Sequence, residues 1–175
     1  MLLKIVLGVL VLVAAVLLLA AVKPGTFRIE RSIVINASPE KIFPLINDFH
    51  NWPEWAPQDR EDPAMRRTYG GAPSGAGAFS DWSGKGQTGA GRLTITESVV
   101  ASKVTVQADW RQPFSTRNIN DFVFESVGNA TRVTWKMQGR NLFMMKLMSV
   151  FTNMDKMMGR HFEEGLANLK TEAEK

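Results

Sequence analysis

The chain predicts an α+β fold: an antiparallel sheet with one covered face, a long C-terminal helix lying across it, and a transmembrane helix ahead of both. Three observations carry this. From Ile5 to Val22 the sequence runs without a charge and stops at Lys23-Pro24-Gly25. The middle of the chain is a succession of short runs that alternate with period two and are separated by turn residues. From Leu142 the apolar period changes to three or four residues and holds almost to the end.

With Leu2 and Leu3 the first run reaches about 30 Å as a helix, the thickness of a bilayer's hydrocarbon core. Lys4 can snorkel from its end to the headgroups. A cleaved secretory signal competes with this reading, but its apolar part is normally about 7 to 15 residues long. Leu19-Ala20-Ala21-Val22 is also a poor cleavage site. Residues 2–22 are therefore read as a retained single-pass span in the cell membrane, with residues 1–24 as the anchor and residues 25–175 as one domain. Roughly 150 residues is the usual size of a single core. Lys23, Arg28, Arg31 and Lys41 behind the span outnumber Lys4 and the α-amino group before it, which favours a cytoplasmic domain. The short, signal-like N-terminus argues the other way, and the sequence leaves the side open.

The elements follow in order. Ile29, Ile33 and Ile35 fall on one phase of Phe27 to Asn36, and Arg28, Glu30 and Ser32 on the other, so this is a first strand. Ser38, Pro39 and Glu40 then supply an N-cap, a first helical position and a first-turn carboxylate. Ile42, Phe43 and Ile46 give that helix its apolar face. Asn47 to Pro63 is rich in Asp, Asn, Pro and Trp, which predicts a helical turn around Trp52 and then a loop. Strands are expected near Met65 to Tyr69, Ala76 to Trp82, Gly91 to Val99, Lys103 to Trp110, Thr116 to Val127 and Thr131 to Met137. The alternation of Val104, Val106, Ala108 and Trp110 against Thr105, Gln107 and Asp109 leaves one face wet and covers the other. A connection as short as Gly128-Asn129 makes the pairing antiparallel. Met144, Leu147, Phe151, Met154, Met158, Phe162, Leu166 and Leu169 predict one uninterrupted amphipathic helix from Leu142, which buries its stripe on the sheet.

Composition removes several classes of function. The 21 basic residues exceed the 17 acidic ones by four but are scattered, with no run that would track a phosphate backbone, so no nucleic-acid partner is expected. A mildly basic domain is drawn instead to anionic headgroups. With no cysteine there is no disulfide, thiolate metal site or cysteine nucleophile. Gly84-Lys85-Gly86-Gln87-Thr88-Gly89 matches the spacing of a dinucleotide loop, but a strand follows where a helix N-terminus is needed, so it reads as a hairpin turn. Asp59, Glu61 and Asp62 are interrupted by Arg60 and lack calcium-loop spacing, which leaves a solvated loop. His50 and His161 stand without the further ligands that zinc requires. No metal, no cofactor and no nucleophile are designated.

The C-terminal stretch is rich in methionine, at Met144, Met145, Met148, Met154, Met157 and Met158. Methionine fills irregular gaps in cores and also lines surfaces that accept varied apolar ligands. Trp82, Trp110, Phe122, Phe124 and Trp135 fall on strand phases that can face the same space. These groups either fill a core or wall a pocket.

Three stretches give the chain a resemblance to the SRPBCC superfamily of polyketide cyclase-like, START-type lipid-transfer and pollen-allergen-type proteins. They are Arg31-Ser32-Ile33-Val34-Ile35-Asn36-Ala37-Ser38-Pro39-Glu40, the segment Ile46 to Pro57 around Trp52-Pro53-Glu54-Trp55, and Thr131-Arg132-Val133-Thr134-Trp135. Met154 to Gly159 and Phe162 to Leu166 are similar to the end of bacterial cyclase-like members. The resemblance implies a helix-grip fold, in which a curved sheet holds the C-terminal helix over a hydrophobic cavity. The expected function is a membrane-anchored, non-catalytic binding module for a hydrophobic small molecule or lipid, walled by Trp82, Trp110, Phe122, Trp135, Met148 and Met158. One alternative is a cyclase- or hydrolase-like enzyme in the same cavity, for which Asp48, His50, Arg31 and Glu97 qualify by residue type alone. Another is a structural or regulatory subunit of a membrane complex using Gly8 and the alanines of the span for helix contacts. The sequence names no protein partner.

Overall fold

Every period-two run becomes a strand in the computed structural model, which describes residues 1–175 apart from the side chains of Gln87 and Met154. The strands are β1 (Thr26–Ile35), β2 (Arg66–Gly71), β3 (Ala78–Ser83), β4 (Ala90–Val99), β5 (Lys103–Gln112), β6 (Thr116–Val127) and β7 (Ala130–Arg140). They form one seven-stranded sheet in the order β1-β7-β6-β5-β4-β3-β2, and each neighbouring pair is antiparallel. Gly128, at φ +60°, makes the two-residue β6–β7 turn possible, because a side chain resists that left-handed backbone. A register shift between Ile95 and Glu97 marks an irregularity in β4 against β5.

The helices are α1 (Leu2–Ala21), α2 (Pro39–Asn47), α3 (Pro57–Glu61), α4 (Phe143–Phe151) and α5 (Met154–Ala173), with a 3-10 turn at Phe49–Glu54. Ser38 is the extended N-cap of α2, without a side-chain capping bond to the helix amides, and Pro39 is its first residue. At 20 residues and a mean hydropathy of 3.1, α1 is long and apolar enough to cross a membrane.

Two differences from the sequence reading matter for the site. The acidic stretch after Trp55 is helical rather than a solvated loop, and Asp59 on α3 is buried against Arg67 of β2. Their paired nitrogens and oxygens lie 2.7 Å apart, and the side chains are 10 % and 6 % exposed. The C-terminal apolar stretch is two helices and not one. Thr152 and Asn153 have extended backbones, and the Asn153 side chain accepts from the amide of Lys156 at 3.0 Å, which starts a new helix. The apolar period continues through this break although its α4 part does not meet the sheet: α4 packs on α1, and Met144 and Phe151 stand outward.

α5 carries the stripe that grips the sheet, with Phe162, Leu166, Leu169 and Ala173 buried. Arg31 of β1 fastens it. Its guanidinium donates to Asp155 through Nη2 at 3.0 Å and to Glu163 through Nε at 2.8 Å, and Nη1 reaches the Glu30 carbonyl at 2.8 Å. The two carboxylates hold the guanidinium even more firmly protonated than usual. Gly159 lies beneath this clasp, where a Cβ would stand 1.9 Å from Arg31 Nη2, so any larger residue would displace the guanidinium from its present path across the helix. At the other end of α5, Lys170 Nζ donates to the Val34 carbonyl at 2.8 Å and Glu174 accepts from the Asn36 amide at 2.7 Å.

Candidate ligand-binding site

Strand register sorts the covered face of the sheet into rows. One row runs Arg31, Trp135, Phe122, Val104 across β1, β7, β6 and β5. Trp135 stacks flat on Phe162 of α5, with centroids 4.0 Å apart and planes 4° from parallel. Phe122 lies 5.0 Å from Trp135, and Trp55 stands edge-on to both at about 6 Å. The indole N–H groups here are satisfied: Trp135 donates to Asn120 Oδ1 at 3.0 Å, Trp55 to the Leu45 carbonyl at 2.8 Å and Trp52 to the Ile46 carbonyl at 2.9 Å. This aromatic block fills the space between the sheet and the middle of α5.

Another row, four residues along each strand from the first, has small or polar groups at its centre: Gly139, Asn118, Ala108 and Ser80. It runs Phe27, Gly139, Asn118, Ala108, Leu93, Ser80, Tyr69 from β1 to β2. Asn118, Ala108, Leu93 and Ser80 are buried. Asn118 Oδ1 is buried and has no hydrogen-bond partner among the described residues, which is a costly state for a carbonyl oxygen. Beyond this row, Trp82 and Trp110 meet edge to face at 4.9 Å, and Trp82 donates to the Thr88 carbonyl at 3.0 Å. Gly91 lies between them, where a Cβ would come within 2.3 Å of the Trp82 ring.

An open cleft of about 690 Å³ lies at the β1–β7–β6 edge and is lined mainly from the opposite, wet face of the sheet, by Arg28, Arg117, Ile119, Gln138 and Arg140; of the row, only Phe27 and Gly139 reach it. A pocket of about 190 Å³ at the β2 end is lined by Phe49, His50, Tyr69 and the Gly70–Pro73 turn, with Ala78 and Phe79. His50 Nδ1 lies 2.7 Å from Asp48 Oδ1 there, and its ring rests 4.2 Å from that of Tyr69. Burial raises the Tyr69 hydroxyl above its ordinary pKa.

Each residue singled out in the sequence can now be placed. Trp82 and Trp110 form one aromatic pair and Phe122 and Trp135 another, on either side of the small-residue row. Met158 of α5 is partly buried against the core. Met148 is not brought to them: it lies on α4, half-exposed. Of the acid–base candidates, Asp48 and His50 come together, Arg31 is consumed by the α5 clasp, and Glu97 pairs with Lys103 at 2.7 Å, which holds its carboxyl below the usual range. Sequence reasoning missed Asn118 and Asn120. Their signal was available, since they occupy the same strand phase as Phe122 and Phe124. Arg67, inward on β2 and bonded to both Asp59 and Ser80 Oγ, was missed as well.

Comparison with known proteins adds the following. The family described as polyketide cyclase / dehydrase and lipid transport matches residues 26–174. Among solved structures, a major latex-like protein of Panax ginseng superposes with a TM-score of 0.63 at 11 % identity, covering 86 % of this chain and 99 % of its own. A protein of Chromobacterium violaceum gives 0.61 at 12 % identity, covering 87 % and 99 %. A protein of Nitrosospira multiformis gives 0.60 at 19 % identity, covering 83 % and 95 %. At such identities these likenesses establish the helix-grip fold alone. No functionally curated protein matches the sequence significantly.

Proposed function

Because this chain belongs to the polyketide cyclase / dehydrase and lipid transport family, we propose that it is a membrane-anchored, non-catalytic module that binds a hydrophobic small molecule or lipid. The observation that carries the reading is the small-residue row, which runs between two aromatic pairs and holds a buried carbonyl oxygen, Asn118 Oδ1, without a donor among the described residues. A guest with an apolar body and one hydroxyl or amide N–H satisfies that oxygen and lies between two aromatic walls, Trp82 with Trp110 and Phe122 with Trp135, beneath Met158. The charged groups that turn inward, Arg31, Arg67 and Asp59, are already taken up in ion pairs, which supports binding over proton transfer. Residues 1–24 tether residues 25–175 to the bilayer and so raise the effective concentration of a lipid-derived guest.

Native mass spectrometry of the full-length protein released from lipid nanodiscs tests this. A bound apolar guest is expected on the wild type. Ala108→Phe, which fills the row from its floor, is expected to lose it by roughly tenfold or more. A wild-type chain that stays empty across a broad lipid panel overturns the proposal.

One observation favours the enzyme reading: the Asp48 carboxylate orients His50 beside Tyr69 at the mouth of the smaller pocket, leaving Nε2 free to exchange a proton. On that reading His50→Gln lowers turnover of an apolar, oxygenated substrate by about 100- to 10,000-fold and leaves guest occupancy intact. Unchanged turnover removes it.

A further inference from the structure

We propose that α4 lies in the interfacial zone of a bilayer containing anionic lipid, as a second membrane contact beside α1. The proposal rests on the reading of α1 as a membrane span. A span of 20 residues is about 30 Å long, so α1 is used up in crossing the hydrocarbon core and whatever packs on its last turns lies at the level of the bilayer surface. α4 is packed there. Asn141, just before it, donates its amide to the Gly25 carbonyl at 2.8 Å and its Nδ2 to the Pro24 carbonyl at 3.3 Å, and Lys23 Nζ reaches the Ser149 carbonyl at 3.2 Å. The helix is thus fixed to the end of the span at both of its own ends.

Its outward surface is apolar. Phe143, Met144 and Met148 are about half exposed and Phe151 is 73 % exposed, a contiguous hydrophobic surface on a nine-residue helix. α5 takes the sheet and α1 takes one side of α4, which leaves these side chains on the uncovered side. The local charge fits an anionic surface. Residues 22–29 and 137–153, the two segments that meet at this junction, contain Lys23, Arg28, Arg140 and Lys146; Glu30, just past the first, takes up Arg28 at 2.8 Å, which leaves Lys23, Arg140 and Lys146 as the local basic excess. Basic side chains at headgroup depth, beside an apolar face that reaches the acyl boundary, are the two components of interfacial helix binding.

The chain has no cysteine, so a single engineered one is a unique labelling site. Spin labels at Leu10→Cys, Phe151→Cys and Glu164→Cys, each in the full chain in nanodiscs of neutral lipid with or without anionic lipid, report oxygen against water-soluble nickel-chelate accessibility. The Leu10 and Phe151 labels are expected to favour oxygen several-fold and the Glu164 label on α5 to favour the chelate, with Phe151 deeper when anionic lipid is present. Leu10 in lipid with Phe151 in water overturns this proposal and leaves the span standing. Leu10 in water overturns both. A Phe151 label shielded from both reagents assigns α4 to a protein partner and overturns the proposal, and equal depth in the two lipid mixtures overturns the anionic assignment.

Discussion

Replacing Asp59 with alanine is expected to destabilise the domain by about 3–5 kcal/mol, the usual result of stripping one partner from a buried ion pair. The Arg67 guanidinium stays where β2 puts it, facing inward beneath α3, and retains only the Ser80 hydroxyl at 3.1 Å. The cost is the desolvated charge left behind and not the attraction lost. A companion variant separates these. Asp59→Leu with Arg67→Met removes both charges and keeps the volume, and should recover most of the loss. Thermal unfolding of the full-length chain in nanodiscs, followed by near-UV circular dichroism, measures both. A single-variant loss below about 1 kcal/mol places the pair among solvated surface bridges and refutes the buried reading.

Trp135→Ala carries a comparable cost, about 3–5 kcal/mol for a large core aromatic. It removes the flat contact with Phe162, the contact with Phe122 and the edge contact with Trp55. It also leaves Asn120 Oδ1 without its donor. Trp110→Ala is the informative contrast: that ring is only partly buried, so its removal costs less, while it faces the same small-residue row from the other side. Unfolding midpoints and guest occupancy measured together distinguish the roles. If Trp135 is a core residue first, its loss shows mainly in stability, and the loss of Trp110 shows mainly in occupancy. Equal stability losses for the two would sink that division.

The strands were legible because each half-buried run alternates and is bounded by glycine, proline or asparagine, local signals that tertiary packing reinforces. The pairing of Trp82 with Trp110 and of Phe122 with Trp135 was legible for the same reason, since strand phase fixes the face and register brings the neighbours together. The Asp59–Arg67 pair was not. It joins α3 to β2 through a chain reversal, and nothing in the spacing of Asp59, Arg60, Glu61 and Asp62 reveals which carboxylate turns inward. The break at Thr152-Asn153 was hidden by an apolar period that runs on unchanged. An apolar stripe does not say what covers a helix, or whether anything does: Met144, Met148 and Phe151 stand outward on α4. Asn118 and Asn120 were visible as polar residues on an apolar phase, and the chemistry of buried amides explains their significance only once their neighbours are known.

The clasp of Arg31 over Gly159, and its counterparts Lys170 and Glu174 near the far end, bolt α5 to β1 at two places along its length. A beam bolted twice does not swing upward like a hatch. On the proposed binding function, admission to the interior falls to rotamer changes in Met158 and the tryptophans and to flexing of the short joint ahead of α5. Selectivity would be set by how far those side chains can rotate aside, so slender, pliant molecules pass more readily than broad, rigid ones.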